Sequence, residues 1–222
     1  NKKNTVNISK QDVTTSKELP GATLELKNSS GTKIESWTST SNAHIVRGLK
    51  KGTYTLSETI APKGYKKTTT TVKFTIDEYG KLTDEFGKAI DKVVMFNEVT
   101  KVNISKQDIA NKKELPGASL EIVDEEGNVI DSWISKTKEH TITGLKAGTY
   151  TLKETNAPEG YVLSGEYVTF SIDKYGKVTD KLGKEIDKVV MYNEIEKIIS
   201  IEVSKQDLAT KKELPGASLS II

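Results

Sequence analysis

Apolar residues alternate with polar ones over short runs along most of the chain. Each run is closed by Gly, Pro, Asn or Asp, the pattern of half-buried strands, and no stretch carries a convincing helical period. In the first hundred residues the pattern predicts strands over Val6 to Asp12, Ala22 to Lys27, Lys33 to Thr38, His44 to Arg47, Thr53 to Thr59, Thr71 to Asp77 and Lys92 to Val99. Turns are expected at Asn28 to Gly31, Lys50 to Gly52, Ala61 to Gly64 and Glu78 to Gly80. Seven short strands in about 95 residues suggest a β-sandwich of immunoglobulin-like build.

The pattern then starts again. Residue 6 onward reappears at residue 102, an offset of 96, and more than half of residues 6–98 match residues 102–194 identically. A third copy opens before the chain stops: ISKQD at Ile8 to Asp12 and at Ile104 to Asp108 returns as VSKQD at Val203 to Asp207. An offset that holds across every loop marks a folded unit of domain size, so we expect domains over residues 1–99 and 100–197 and a truncated third over 198–222. The expected fold class is all-β: two complete tandem sandwiches and the start of another. The junctions from Asn97 to Lys106 and from Asn193 to Lys205 are poor in Pro, Gly and Ser and read as short, fairly stiff connections, the second three residues longer.

Strand alternation also says which side chains share a face. Val6 and Ile8 set an inward phase that Lys10 continues; Tyr54 and Leu56 set one that Glu58 continues; Val93 and Met95 set one that Asn97 continues. The second copy repeats this with Val102, Ile104, Lys106, with Tyr150, Leu152, Glu154, and with Val189, Met191, Asn193. Burying a lysine with a glutamate is costly unless the two pair or neutralise. Desolvation disfavours both charges, so an amine and a carboxyl buried together can become neutral. A neutral amine is a nucleophile, and a protonated carboxyl can hydrogen-bond the carboxamide oxygen and shuttle protons while the amide nitrogen leaves as ammonia. Two accounts stand on phase alone: a buried ion pair beside a hydrogen-bonded Asn, or a Lys–Asn isopeptide bond formed once.

Composition narrows the function classes. The 222 residues carry 33 Lys and Arg against 31 Asp and Glu, interleaved, which argues against nucleic acid as a partner. Cysteine is absent, so neither disulfides nor thiolate chemistry is expected. No apolar run is long enough to span a bilayer, no signal peptide is recognisable, and the chain reads as an internal fragment. One histidine per repeat, His44 and His140, forms no ligand cluster, and DEEGN at Asp124 to Asn128 reads as a hairpin turn rather than a calcium loop; no metal or other cofactor is expected. Sequons at Asn7, Asn28 and Asn103 matter only in a host that glycosylates them. Trp37 and Trp133 fit the phase of Ile34 poorly and read as sandwich-edge packing residues.

The ordered series ISKQD, KELPGATLEL, TYTLSETIAPKGY and VVMFNE resembles the Cna-B or SpaA-like (prealbumin-like) domains of Gram-positive surface adhesins and pilins, over both full copies and the opening of the third. The resemblance implies an isopeptide bond from Lys10 to Asn97 with Glu58 as catalyst, and another from Lys106 to Asn193 with Glu154. Lys205 would be the amine of the third domain, whose Glu and Asn would lie beyond Ile222. It further implies a secreted, cell-wall-associated structural stalk: neighbouring repeats as the partners of each domain, and host extracellular matrix met through another domain. No LPxTG-type sorting signal or YPKN-like pilin motif is found; ELPGA at Glu18 to Ala22 is interior. The competing function is an adhesive module that itself binds a host protein or glycan. A turnover enzyme is disfavoured, since no Ser-His-Asp order, phosphate-binding glycine loop or metal cluster is visible.

Overall fold

The computed structural model describes residues 4–197 and 200–220. Its first repeat has strands β1 (Thr5–Asp12), β2 (Thr23–Asn28), β3 (Lys33–Thr38), β4 (His44–Arg47), β5 (Gly52–Ile60), β6 (Val72–Ile76), β7 (Leu82–Asp84) and β8 (Val93–Asn97). The second has β9 (Lys101–Asp108), β10 (Ser119–Val123), β11 (Val129–Ile134), β12 (His140–Thr143), β13 (Gly148–Asn156), β14 (Val168–Ile172), β15 (Val178–Asp180) and β16 (Val189–Asn193). Among the described residues there is no helix. Each repeat has eight strands rather than the seven expected. The extra one, β7, holds a single apolar residue, Leu82, too little for an alternation pattern, and forms through a tight hairpin with β6.

Each repeat is a sandwich of two sheets, one ordered β4-β1-β8 and the other β3-β2-β5-β6-β7, and the second repeat copies both. The alternating apolar residues meet between them: Val6, Ile8, Leu24, Leu26, Leu56, Phe74 and Met95 are almost fully buried, as are their counterparts 96 residues on. β1 is the centre of its sheet, antiparallel to β4 and parallel to β8. Its outer face is covered as well. Glu18 accepts hydrogen bonds there from the Lys10 backbone N–H at 3.2 Å and from Gln11 Nε2 at 2.9 Å, which explains the unbroken burial from Ile8 to Asp12.

Side-chain carboxyl and amide groups shape the turns. Asp124 Oδ1 accepts the backbone N–H groups of Glu126 and Asn128, and Asn28 Oδ1 does the same for Ser30 and Thr32, so DEEGN is an Asx-capped hairpin turn. Trp37 and Trp133 pack on the cores from the β3 and β11 edges, stacked on His44 and His140 at 4.3 and 4.2 Å. Of the expected third repeat, residues 198, 199, 221 and 222 lie outside the described residues. Residues 200–220 are almost wholly exposed, yet rebuild the local geometry of the earlier copies, with a Gln206–Glu213 bridge and the Leu214 N–H on the Lys205 carbonyl at 2.7 Å.

Candidate functional site

β1 and β8 run side by side in parallel, with Lys10 opposite Met95 and Asp12 opposite Asn97, so Lys10 and Asn97 come from adjacent strands of one sheet. Glu58, on β5, faces them from the other sheet. The phase inferred from sequence brings all three together in the core. Lys10 and Asn97 are each 2% exposed and Glu58 5%.

One carboxylate joins the other two groups. Lys10 Nζ lies 3.1 Å from Glu58 Oε1, and Asn97 Nδ2 donates to Glu58 Oε2 at 3.0 Å. The second repeat gives 3.1 Å for Lys106–Glu154 and 2.9 Å for Asn193–Glu154. The Lys–Glu contacts are within ion-pair distance but outside hydrogen-bond geometry. Lys Nζ, Glu Oε1 and Asn Oδ1 are therefore all buried without a hydrogen bond among the described residues, in both repeats. Lys Nζ and Glu Oε1 compensate each other as an ion pair, which leaves the Asn Oδ1 as the buried atom without a polar contact of its own. Burial pushes the Lys10 and Lys106 ammonium groups below the ordinary lysine value, outweighing the opposing pull of Glu58 and Glu154.

A backbone strap completes the site. The Thr68 N–H donates to Glu58 Oε2 at 2.8 Å, and the Lys66 carbonyl accepts Asn97 Nδ2 at 2.5 Å. Ser164 and Val162 do the same in the second repeat at 2.7 and 2.7 Å. Sequence reasoning missed this strap because backbone groups leave no residue-type signal. The strap also corrects the expected carboxamide orientation: Nδ2, not Oδ1, faces the glutamate. The physical reason is that Glu58 Oε2 and the Lys66 carbonyl are both acceptors, so together they select the end of the amide that carries two protons. Asp12, next along β1 from the site, is held below the usual carboxylate range, first by the Thr15 backbone N–H; Asp108 is lowered first by the Tyr161 hydroxyl at 2.8 Å. Lys205 is exposed and has no such surroundings.

The arrangement can hold a lysine amine, an acid–base carboxyl and a carboxamide leaving group together in a site closed to bulk water. Comparison with known proteins gives a match to the SpaA prealbumin-like fold domain twice, over residues 4–88 and 100–185. No curated protein sequence matches the chain. Among solved structures, the Bacillus anthracis TIE protein aligns at 25% identity with a TM-score of 0.48, over 87% of this chain and 34% of that one. The C-terminal fragment of the pilus adhesin SpaC from Lactobacillus rhamnosus GG aligns at 19% identity with a TM-score of 0.48, over 88% of this chain and 99% of that one. The chain thus spans about a third of the first of these proteins.

Proposed function

The chain belongs to the SpaA prealbumin-like fold family, and from that premise we propose that it supplies structural stalk repeats of a bacterial surface adhesin or pilus-like protein, each repeat locked by its own Lys–Asn isopeptide bond. The observation that carries this reading is the twice-repeated buried set in which one glutamate contacts both the Lys Nζ and the Asn Nδ2, with the Asn Oδ1 left without a hydrogen bond among the described residues. The domains are proposed to run over residues 1–99 and 100–197, with a third begun at 198–222.

The Lys10 ammonium passes a proton to Glu58 and becomes a neutral amine, a transfer that burial favours. Nζ attacks the Asn97 carboxamide carbon, the Nζ–Cγ bond forms and the Cγ–Nδ2 bond breaks. Of the two protons lost from Nζ, one joins Nδ2, which leaves as ammonia, and the other stays on Glu58. Glu58 contacts both nitrogens and can serve both transfers. Lys106, Glu154 and Asn193 act alike. The residues are consumed by their own reaction, so the protein is not a turnover enzyme.

The function follows from where the bond sits. Tension entering at β1 crosses directly to β8, the last strand of the same repeat, and the 86 residues between Lys10 and Asn97 carry no load. Such repeats suit a secreted, wall-associated spacer that holds another domain away from the cell, where that domain meets host matrix. Intact mass under denaturing conditions tests the chemistry. The wild-type chain is expected to fall short of its sequence mass by two ammonia molecules, and Glu58→Ala and Glu154→Ala each to restore one. An unshifted wild-type mass would overturn the proposal.

A further inference from the structure

Thr100 lies between the two sandwiches and is buried, only 3% exposed. Its backbone N–H donates to the Gly64 carbonyl of the first repeat at 2.9 Å, and its own carbonyl accepts the Gly144 N–H of the second at 3.0 Å. Its hydroxyl donates to the Leu145 carbonyl at 2.6 Å, while Oγ1 stays 3.1 Å from the Gly64 carbonyl. The first repeat has a counterpart. Asn4, 96 residues earlier, bonds Gly48 N–H through its carbonyl at 2.9 Å and the Leu49 carbonyl through Nδ2 at 3.2 Å. Thr100 therefore does for the second repeat what Asn4 does for the first, and in addition ties that repeat to Gly64.

Two glycines make room for the approach. A Cβ on Gly64 would sit 2.7 Å from the Gly144 carbonyl oxygen, a backbone atom that cannot swing aside. A Cβ on Gly176 would overlap Lys66 Cγ and lie 3.2 Å from Thr100 Cγ2. Beside them Lys67 Nζ stands 5.4 Å from the Tyr175 ring centroid. Tyr175 is 43% exposed, whereas Tyr79, at the same position of the first repeat, is 88% exposed. The difference measures what the stacked repeat covers.

The geometry points to a specific docking interface: the Gly64–Lys67 loop of the first repeat is received by the Gly144 and Gly176 turns of the second, and the two repeats form one rigid body rather than two beads on a link. None of the contacts across it uses the side chain of Lys10, Glu58 or Asn97. The second repeat keeps its own strap geometry with no complete repeat packed on it, Glu196 N–H reaching the Gly160 carbonyl at 2.9 Å. At that second junction Val162 and Leu163 replace Lys66 and Lys67, and three extra residues precede Lys205, so the same joint is not rebuilt there.

Residual dipolar couplings on the full chain test the proposal, because two rigidly joined sandwiches share one alignment tensor and two loosely linked ones do not. The wild type is expected to give coincident tensors. Gly176→Asn, which tolerates a left-handed backbone but adds a side chain into the joint, is expected to lose the coincidence while both repeats keep their folded spectra. Gly127→Asn, in a left-handed turn of the same repeat with open space around it, is expected to keep it. Gly64→Asn, which also tolerates a left-handed backbone but puts a Cβ 2.7 Å from the Gly144 carbonyl oxygen, is expected to uncouple the repeats as well, so a folding defect in one glycine variant does not decide the matter. Separate tensors in the wild type, or coincident tensors in any folded Gly176→Asn or Gly64→Asn, would overturn the interface.

Discussion

Pulling the chain from its two ends separates a covalently locked repeat from one held only by packing. In the first repeat Lys10 and Asn97 stand on adjacent paired strands, so their backbones start about 10 Å apart or less. The 86 residues between them, at about 3.5 Å each when extended, would release roughly 300 Å of chain if that repeat unfolded. With the isopeptide bond in place the load bypasses that loop and none of the length is available. Single-molecule extension of the wild type is therefore expected to show no unfolding step from either repeat. Glu58→Ala is expected to add one step of roughly 300 Å, and Glu58→Ala with Glu154→Ala two. Asn97→Ala removes the electrophile instead of the catalyst and is expected to give the same single step as Glu58→Ala. Two such steps in the wild type would refute the reasoning outright, since no covalent path from Lys10 to Asn97 could then exist.

Other consequences are accessible in bulk. By loop entropy, closing 88 residues constrains the unfolded state by about 4 to 5 kcal/mol. At about 4 to 8 °C per kcal/mol for a domain of this size, the Asn97→Ala repeat is expected to melt roughly 16 to 40 °C below the intact one by calorimetry. That variant also exposes the lysine's linkage. Burial lowers the folded-state lysine below its ordinary value, so in the interval between the two the unfolded state binds more protons and stability should rise with pH. Denaturant titrations of Asn97→Ala between neutral pH and pH 10 are expected to show that rise, and a fall would contradict it. Ser39→Ala should cost about 2 kcal/mol or more in a denaturant titration, because its buried hydroxyl accepts the Ala22 N–H and donates to the Leu19 carbonyl.

The strand phase made much of this molecule legible. Lys10, Glu58 and Asn97 continue apolar stripes whose inward direction Ile8, Leu56 and Met95 set, and all three are buried together. Hairpins were readable for the same reason, since turn residues such as Asn28 and Asp124 act locally. What alternation could not show is pairing at a distance. That β1 runs parallel to β8 depends on sheet order, and nothing in the run from Val93 to Asn97 encodes its direction. The strap through Lys66 and Thr68 acts with backbone atoms, so Val162 and Ser164 replace these residues without altering the geometry. Gly64 reads from sequence as an ordinary turn glycine, as does Gly80, whose copy 96 residues on is Gly176. The second role of Gly64 and Gly176, close approach between repeats, exists only once both repeats are folded.

The central claim is that each buried set ends as a covalent bond, and the most direct measurement is tandem mass spectrometry of a proteolytic digest of the purified chain. Branched peptides are expected in which Lys10 is joined to Asn97, and Lys106 to Asn193, each lighter than the sum of its two arms by one ammonia, with Lys205 recovered unmodified. Recovery of Lys10 and Asn97, or of Lys106 and Asn193, only on separate linear peptides would contradict it.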